Sequence, residues 1–414
     1  MDSAGGRGGP PVGGAPTTAR TSRIGIAGAA VAVASAGTSA LGYLVPVLGA
    51  RRLDAADLGA LATVLAIAGI VSVPSMGLQI AVAVHRARHP GATARRAGWL
   101  TAAVCAGLVA LLAPVAAPLL DVPLSVTLLL AVYIGAIVAA GRWLGELQGD
   151  ERFLRLAVGM ALLAAGRYGG LSAGLLLGAG LTGSMLLGTA TALLIPVALA
   201  LVTRGLPAFP DGRGITARQV FTACSATLAM LVVSYADLLL ARALLPAADS
   251  GAYAVGTVLT KGALWAPQVV TVLALPRLAQ GSRRALIVAV GLVTGSGTLL
   301  IAMSALAGGL AFRVAGGPDY VGLGRYAPVF AATGALYALV FVLVNAQVAA
   351  GAKWPSAPLW LSTAVLVVVA WLVPHTFPAI MWCAAGTAAL ALAATAWATW
   401  RSGATRLTGA ALTS

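Results

Sequence analysis

The 414-residue sequence predicts an all-α polytopic membrane protein of about twelve transmembrane helices arranged as two six-helix lobes. Three observations carry that expectation. The chain is 60% hydrophobic and 9% charged, with a mean hydropathy of +0.95, a balance foreign to soluble domains. Apolar runs long enough for a hydrocarbon core about 30 Å thick follow one another from Ile24 to Trp400. An internal echo, taken up below, divides these runs into halves.

Runs bounded by charge or by Gly/Pro clusters place spans near 24–48, 58–82, 97–120, 124–148, 153–178 and 181–203. The second set lies near 217–245, 250–275, 285–312, 325–350, 356–374 and 377–400. Residues 1–23 are rich in Gly, Pro and Ala without an apolar run, so they read as a disordered cytosolic tail and not as a signal peptide. Residues 204–216 read as the linker between lobes 24–203 and 217–400, and 401–414 as a second cytosolic tail.

Basic side chains resist translocation and so choose the cytosolic face. With both termini inside, eighteen Arg and Lys residues fall in cytosolic segments and five in outer ones. The net charge of +15 is spread over these short segments, which argues against a nucleic-acid partner and for topology, with anionic lipid headgroups as further contacts. Arginine far outnumbers lysine and Ala and Gly are abundant, as in GC-rich bacterial genomes. The expected location is therefore a bacterial inner membrane.

The echo is AADLGALA at Ala55–Ala62, which recurs as AADSGAYA at Ala247–Ala254. Each copy follows an Ala-Arg pair and enters the second span of its half, and Arg86 and Arg277 close those two spans. Six helices separate the copies, so the halves run parallel and are related by an axis along the membrane normal, with a substrate cavity between them.

Charges inside hydrocarbon cost roughly 2.5–3.5 kcal/mol on insertion scales, so mid-span charges mark candidate sites. Arg167 and Lys261 lie about 21 Å and 18 Å along their helices, too deep to reach headgroups easily. They are candidate cavity cations, the guanidinium as a bidentate fork and the ammonium as a point charge. Asp237, late in the seventh span, is a candidate charge partner for Lys261 or a gating group. Arg142 and Glu146, spaced i, i+4 in span four, read as an intrahelical pair before a substrate contact. Asp54 and Asp57, beside Arg51 and Arg52, form a short charged outer loop that reads as a contact with headgroups before a catalytic site. Cys105, Cys224 and Cys383 lack metal or disulfide spacing, and the three His show no pairing that suggests zinc. No catalytic residue, metal or cofactor is expected. Pro46, Pro74, Pro114, Pro196 and Pro267 fall within spans, where each permits a kink.

Four segments resemble the polysaccharide flippase branch of the multidrug, oligosaccharidyl-lipid and polysaccharide exporter superfamily. They are Val47–Ile70, Gly145–Ala157, Tyr235–Lys261, and GGPDY at Gly316–Tyr320 followed by NAQVAAG at Asn345–Gly351. The resemblance implies two rocking lobes that pass a polyprenyl-diphosphate-linked oligosaccharide from the cytosolic to the outer leaflet for cell-surface polysaccharide synthesis. Partners would be that substrate, membrane lipids and other polysaccharide assembly proteins. The drug-exporting branch carries an amino-terminal-lobe carboxylate for ion coupling, whereas the first three spans here contain no Asp or Glu. A cation-coupled drug or metabolite antiporter of the same superfamily is the alternative, with Asp237 as its titratable carboxylate. A membrane glycosyltransferase or polymerase, which would depend on Asp54 or Asp57, is a more distant one.

Overall fold

The computed structural model describes residues 17–119, 122–207, 214–265, 268–316 and 318–411. Most of the expected amino-terminal tail, the centre of the linker and Pro267 lie outside the described residues.

The first half contains α1 (Thr17–Arg52), α2 (Ala55–Val71), α3 (Val73–Arg88), α4 (Arg95–Leu119), α5 (Leu124–Gly149), α6 (Phe153–Leu176) and α7 (Gly180–Val202). The second contains α8 (Ala217–Leu244), α9 (Ala247–Trp265), α10 (Gln268–Ala279), α11 (Arg283–Gly316), α12 (Ala327–Ala350), α13 (Ala357–Leu372) and α14 (Phe377–Ala411). A 3-10 helix, Pro318–Tyr326, joins α11 to α12. Among the described residues ten helical stretches are long and apolar enough to cross a membrane. A further span, the eighth in chain order, is α9 with α10, bent by 42° at its break, and α13 is a shorter apolar helix in the place of the expected eleventh span. The chain is a multi-pass membrane protein, and its helices occupy all twelve expected positions.

Among the described residues fourteen α-helices stand for twelve expected spans because spans two and eight are each divided. Span two divides at Ser72, just before Pro74, whose ring cannot continue the hydrogen-bond ladder. The two echoed octapeptides open α2 and α9, at Ala55 and Ala247. Asp54 caps the first of these helices: its Oδ1 accepts from the Asp57 backbone N–H at 2.8 Å.

Burial follows the same repeat. The spans Leu124–Gly149 and Tyr320–Ala350, fourth and tenth in order, are each 67% buried, whereas the third and ninth are each 17% buried. Each lobe thus places its fourth helix at the centre and turns its third toward lipid. Leu108, Leu111 and Val115 of α4 and Leu299, Leu306 and Leu310 of α11 are exposed accordingly, since lipid tails impose no penalty on apolar surface. Packing in the first lobe depends on Gly141, Gly145 and Gly149, one stripe of α5. A Cβ at those positions would lie 2.4 Å from the Ser75 carbonyl oxygen, 2.6 Å from that of Gln79 and 2.6 Å from the Arg86 Cβ. Only glycine lets α3 approach α5 so closely.

The lobes meet unevenly. At one end Ala83, Val84 and Ala87 of α3, Leu275, Leu278 and Ala279 of α10, and Ala346 and Ala349 of α12 share one apolar cluster. Nearer the middle, a Cβ on Gly77 would stand 2.6 Å from the Cys224 Cα, so α3 and α8 touch backbone to backbone. Toward the other end, the cluster around Tyr253, Phe312, Phe330 and Phe377 draws on the second lobe alone. The bundle is shut at the end where α3, α5, α10 and α12 terminate. That is the end rich in arginine, called the basic end below.

Candidate functional site

The mid-span charges fall into two separate environments, one in each lobe. Arg167 is carried by α6, which packs against α1, α5 and α7. The Tyr133 hydroxyl of α5 donates to the Arg167 carbonyl at 2.7 Å, fixing this stretch of α6 against the lobe centre. The guanidinium stands 5.1 Å from the ring of Tyr168. Its Nε is buried and has no hydrogen-bond partner among the described residues. An unpaired guanidinium donor in a low-dielectric interior is costly and therefore receptive to an anion.

Lys261 is carried by α9 and faces α8. Its ammonium donates to the Ser234 carbonyl and lies 3.4 Å from the centroid of the Tyr235 ring, a cation–π contact of the strong, partly desolvated kind. Asp237, one turn further along α8, is 2% exposed and interacts electrostatically with Lys261. The Tyr253 hydroxyl, itself on α9, donates to Asp237 Oδ2 at 3.2 Å. Rings of Phe330 and Phe377 close over Tyr253 with centroids 5.3 and 5.7 Å away. The second lobe thus holds a cation, a carboxylate and a phenol in one partly dry cluster, whereas the first holds a cation whose Nε has no acceptor. Arg167 and Lys261 are each fixed by contacts within their own lobe.

Arg142 and Glu146 sit on the buried side of α5 near the basic end. Their closest approach is 3.9 Å, Arg142 Nε to Glu146 Oε1, beyond hydrogen-bond range. Arg142 instead lies over the Trp143 ring at 4.2 Å, and its Nε and one terminal nitrogen have no hydrogen-bond partner among the described residues. The two side chains share one face of α5 without a hydrogen bond between them.

Arg86, which topology alone accounts for in the sequence, turns out to organise the basic end. It is 2% exposed and grips Asp150 with two bonds of 2.8 Å while donating to the Ala92 carbonyl at 2.8 Å and the Pro207 carbonyl at 2.6 Å. Loop, helix end and inter-lobe linker are joined through one guanidinium. The partner is 64 residues away, so no local spacing signals it.

An apolar cavity of about 650 Å³ opens between the lobes, lined by Ile70, Pro74, Leu108 and Leu112 on one side and Phe221, Cys224 and Trp360 on the other. Its wall offers almost no hydrogen-bonding groups, so it suits hydrocarbon and not sugar.

No family model matches the chain, and no curated protein does. Solved structures do. An outward-facing multidrug resistance MATE family transporter of the MOP superfamily superposes with a TM-score of 0.72 at 14% identity, over 92% of this chain and 96% of that one. The fold is that of MOP-superfamily transporters. A Vibrio cholerae MATE transporter variant gives a TM-score of 0.71 at 14% identity, covering 92% of this chain and 95% of its own. A MOP superfamily transporter from Pyrococcus furiosus, described as having a binding pocket of reverse polarity that suggests a different function, gives 0.68 at 14% identity over 92% and 95%. The two-lobed MOP fold accounts for nearly the whole chain.

Proposed function

We propose that the protein is a cation-coupled antiporter that exports a drug or metabolite across the membrane by alternating access of its two lobes, with the basic end in the cytosol of a bacterium. The observation that carries this reading is Asp237, a carboxylate 2% exposed in the second lobe, hydrogen-bonded by Tyr253 and coupled to Lys261. Solved structures of MATE transporters with the same fold support it. Coupling then consists of competition for Asp237. A proton or metal cation entering from outside neutralises the carboxylate, and a substrate that needs its negative charge or its space is released.

The charges set a condition on that substrate. An anion bound at Lys261 is assisted, not displaced, by a proton on Asp237, because neutralising the carboxylate frees the ammonium. Antiport at this site therefore takes a substrate that is cationic or neutral where it meets Asp237. Efflux of a cationic dye from everted vesicles under an imposed proton or sodium gradient tests this directly. The gradient should drive transport by the wild type, and Asp237→Asn should abolish it.

A second reading, translocation of a polyprenyl-diphosphate-linked oligosaccharide, is favoured by different observations. The first three spans hold no acidic residue inside hydrocarbon, Arg167 presents a buried Nε–H without an acceptor, and the inter-lobe cavity has apolar walls. A diphosphate would take the free guanidinium donor, and the prenyl chain would lie in the cavity or in lipid. The membrane potential alone drives such an anion outward by about 2.3 kcal/mol per charge per 100 mV. The reverse-polarity pocket described for the Pyrococcus furiosus protein is a precedent within the fold for a different substrate. Under this reading flipping in liposomes depends on Arg167 and on the potential, and Asp237→Asn leaves it intact.

A further inference from the structure

The basic end is closed by more than apolar contact. Three carbonyls of the second lobe have no donor within their own helices, and each receives a side chain from the first lobe. The first is Val272. In α10 its carbonyl would normally accept from the residue four positions on, which is Pro276, and proline has no N–H to give. Gln148 of α5, 2% exposed, donates to that carbonyl through Nε2 at 3.1 Å. Gln79 of α3 donates to Gln148 Oε1 at 2.9 Å and so orients its amide.

The second and third are Ala279 and Ala349, at the ends of α10 and α12. Both helices close in the same way. Gly281 (φ 81°) and Gly351 (φ 75°) take the left-handed conformation. Their N–H groups return to Leu278 and Val348, and those of Ser282 and Ala352 return to Arg277 and Gln347. In such a closure the carbonyl two residues before the glycine is left over. Arg88, in the last turn of α3, supplies both missing donors: its Nε reaches the Ala279 carbonyl at 3.1 Å and a terminal nitrogen reaches that of Ala349. A cation at two helix carboxy-termini also gains from both macrodipoles.

The internal repeat adds a counterpart. Arg88 ends the second span and reaches the end of the tenth. Arg277, near the end of the eighth span, reaches the end of the fourth, with its Nε 3.3 Å and a terminal nitrogen 3.5 Å from the two carboxylate oxygens of Glu151. Glu151 closes α5 just as the two glycines close α10 and α12. Its N–H returns to Gln148, that of Arg152 returns to Leu147, and its φ is +54°. It is the one non-glycine residue among those described with positive φ. Glutamate is a poor choice for that conformation, and its carboxylate is what Arg277 uses.

We propose that Arg88, Gln148 and the Glu151–Arg277 pair form a two-sided clasp that holds the basic end shut, and that this clasp must open for the transporter to face the cytosol. The proposal rests on the alternating-access reading above but not on any substrate. Separating the lobes strips donors from three carbonyls and parts an ion pair. Water replaces the lost partners readily at the helix ends but less so at Val272, which lies further inside.

The test uses full-length protein in lipid nanodiscs, with Cys105, Cys224 and Cys383 replaced by Ser and spin labels on Arg96→Cys and Arg284→Cys. These two positions are exposed at the basic ends of α4 and α11. Pulsed electron–electron resonance should give one short distance in the wild type. Arg88→Gln and Gln148→Leu should each raise a longer-distance population by roughly tenfold, as expected for loss of a charge-assisted or buried hydrogen bond. Because Glu151 and Arg277 are about a third and two-fifths exposed, reversing their charges does not threaten folding. Glu151→Arg alone should lengthen the distance, and adding Arg277→Glu should restore it. Distance distributions identical to wild type in Arg88→Gln and Gln148→Leu, or a reversed pair that behaves like the single variant, would overturn the clasp. The readout needs no transport, so an opened end in a protein that moves neither dye nor lipid-linked sugar would refute the substrate readings and leave the clasp standing.

Discussion

The two lobes share a plan and differ in their charges. In both, the fourth helix is the buried centre, the third faces lipid, and the second is broken and ends in arginine. Yet the repeat-related Arg86 and Arg277 do different work. Arg86 is sunk in its own lobe with each guanidinium nitrogen hydrogen-bonded, to Asp150 or to the Ala92 and Pro207 carbonyls, whereas Arg277 is half-exposed and reaches across to Glu151. Mid-membrane, Arg167 leaves Nε without a partner, while Lys261 has a carbonyl, a ring and a carboxylate. The same scaffold thus uses charge for rigidity within the first lobe and for contacts that can change in the second and across the seam.

The largest effect expected from that contrast is at the arginines. Arg86→Ala strands Asp150 and two carbonyls and should cost about 3–5 kcal/mol of stability, whereas Arg277→Ala should cost about 0–1 kcal/mol. Thermal denaturation of both variants in one detergent checks it, and equal losses would break the comparison. Next in size is the mid-membrane pair. Lys261→Met leaves Asp237 buried beside Tyr253 without its cation and should lower stability by roughly 2–4 kcal/mol. Arg167→Met removes an orphaned donor and should leave the melting temperature unchanged or raise it. The smallest effect is at Glu151. Replacing it by glycine relieves the left-handed backbone and should add about 0.5–1 kcal/mol to thermal stability, even as it removes one half of the clasp. A loss of stability in Glu151→Gly would show that the ion pair outweighs the backbone term.

Much of the fold was legible in the sequence because the membrane imposes it. Span length and the octapeptide echo are local or periodic features, and each corresponds to a helix or a helix start in the structure. The prolines were a weaker guide: span two does break at Ser72 beside Pro74, but Pro46, Pro114 and Pro196, marked equally as kink sites, lie inside unbroken helices. What could not be read was pairing over distance. Arg86 and Asp150 lie far apart in sequence, and so do Gln148 and the carbonyl that Pro276 leaves free. Pro276 itself is a visible signal: a proline in a span announces a carbonyl in search of a donor, though not which side chain will supply it. Mid-span Arg167 and Lys261 stand out by cost alone, but whether a buried cation is satisfied depends on neighbours from other helices. For the same reason the i, i+4 spacing of Arg142 and Glu146 found the pair but not its looseness.

The most direct test of the functional account is ion-driven efflux in proteoliposomes, comparing wild type with Asp237→Asn under an imposed proton or sodium gradient, with a cationic dye as substrate. The account predicts gradient-driven dye efflux by the wild type and none by Asp237→Asn, with both proteins folded and monodisperse. Dye efflux that persists in Asp237→Asn, or that ignores the ion gradient, would contradict the antiporter.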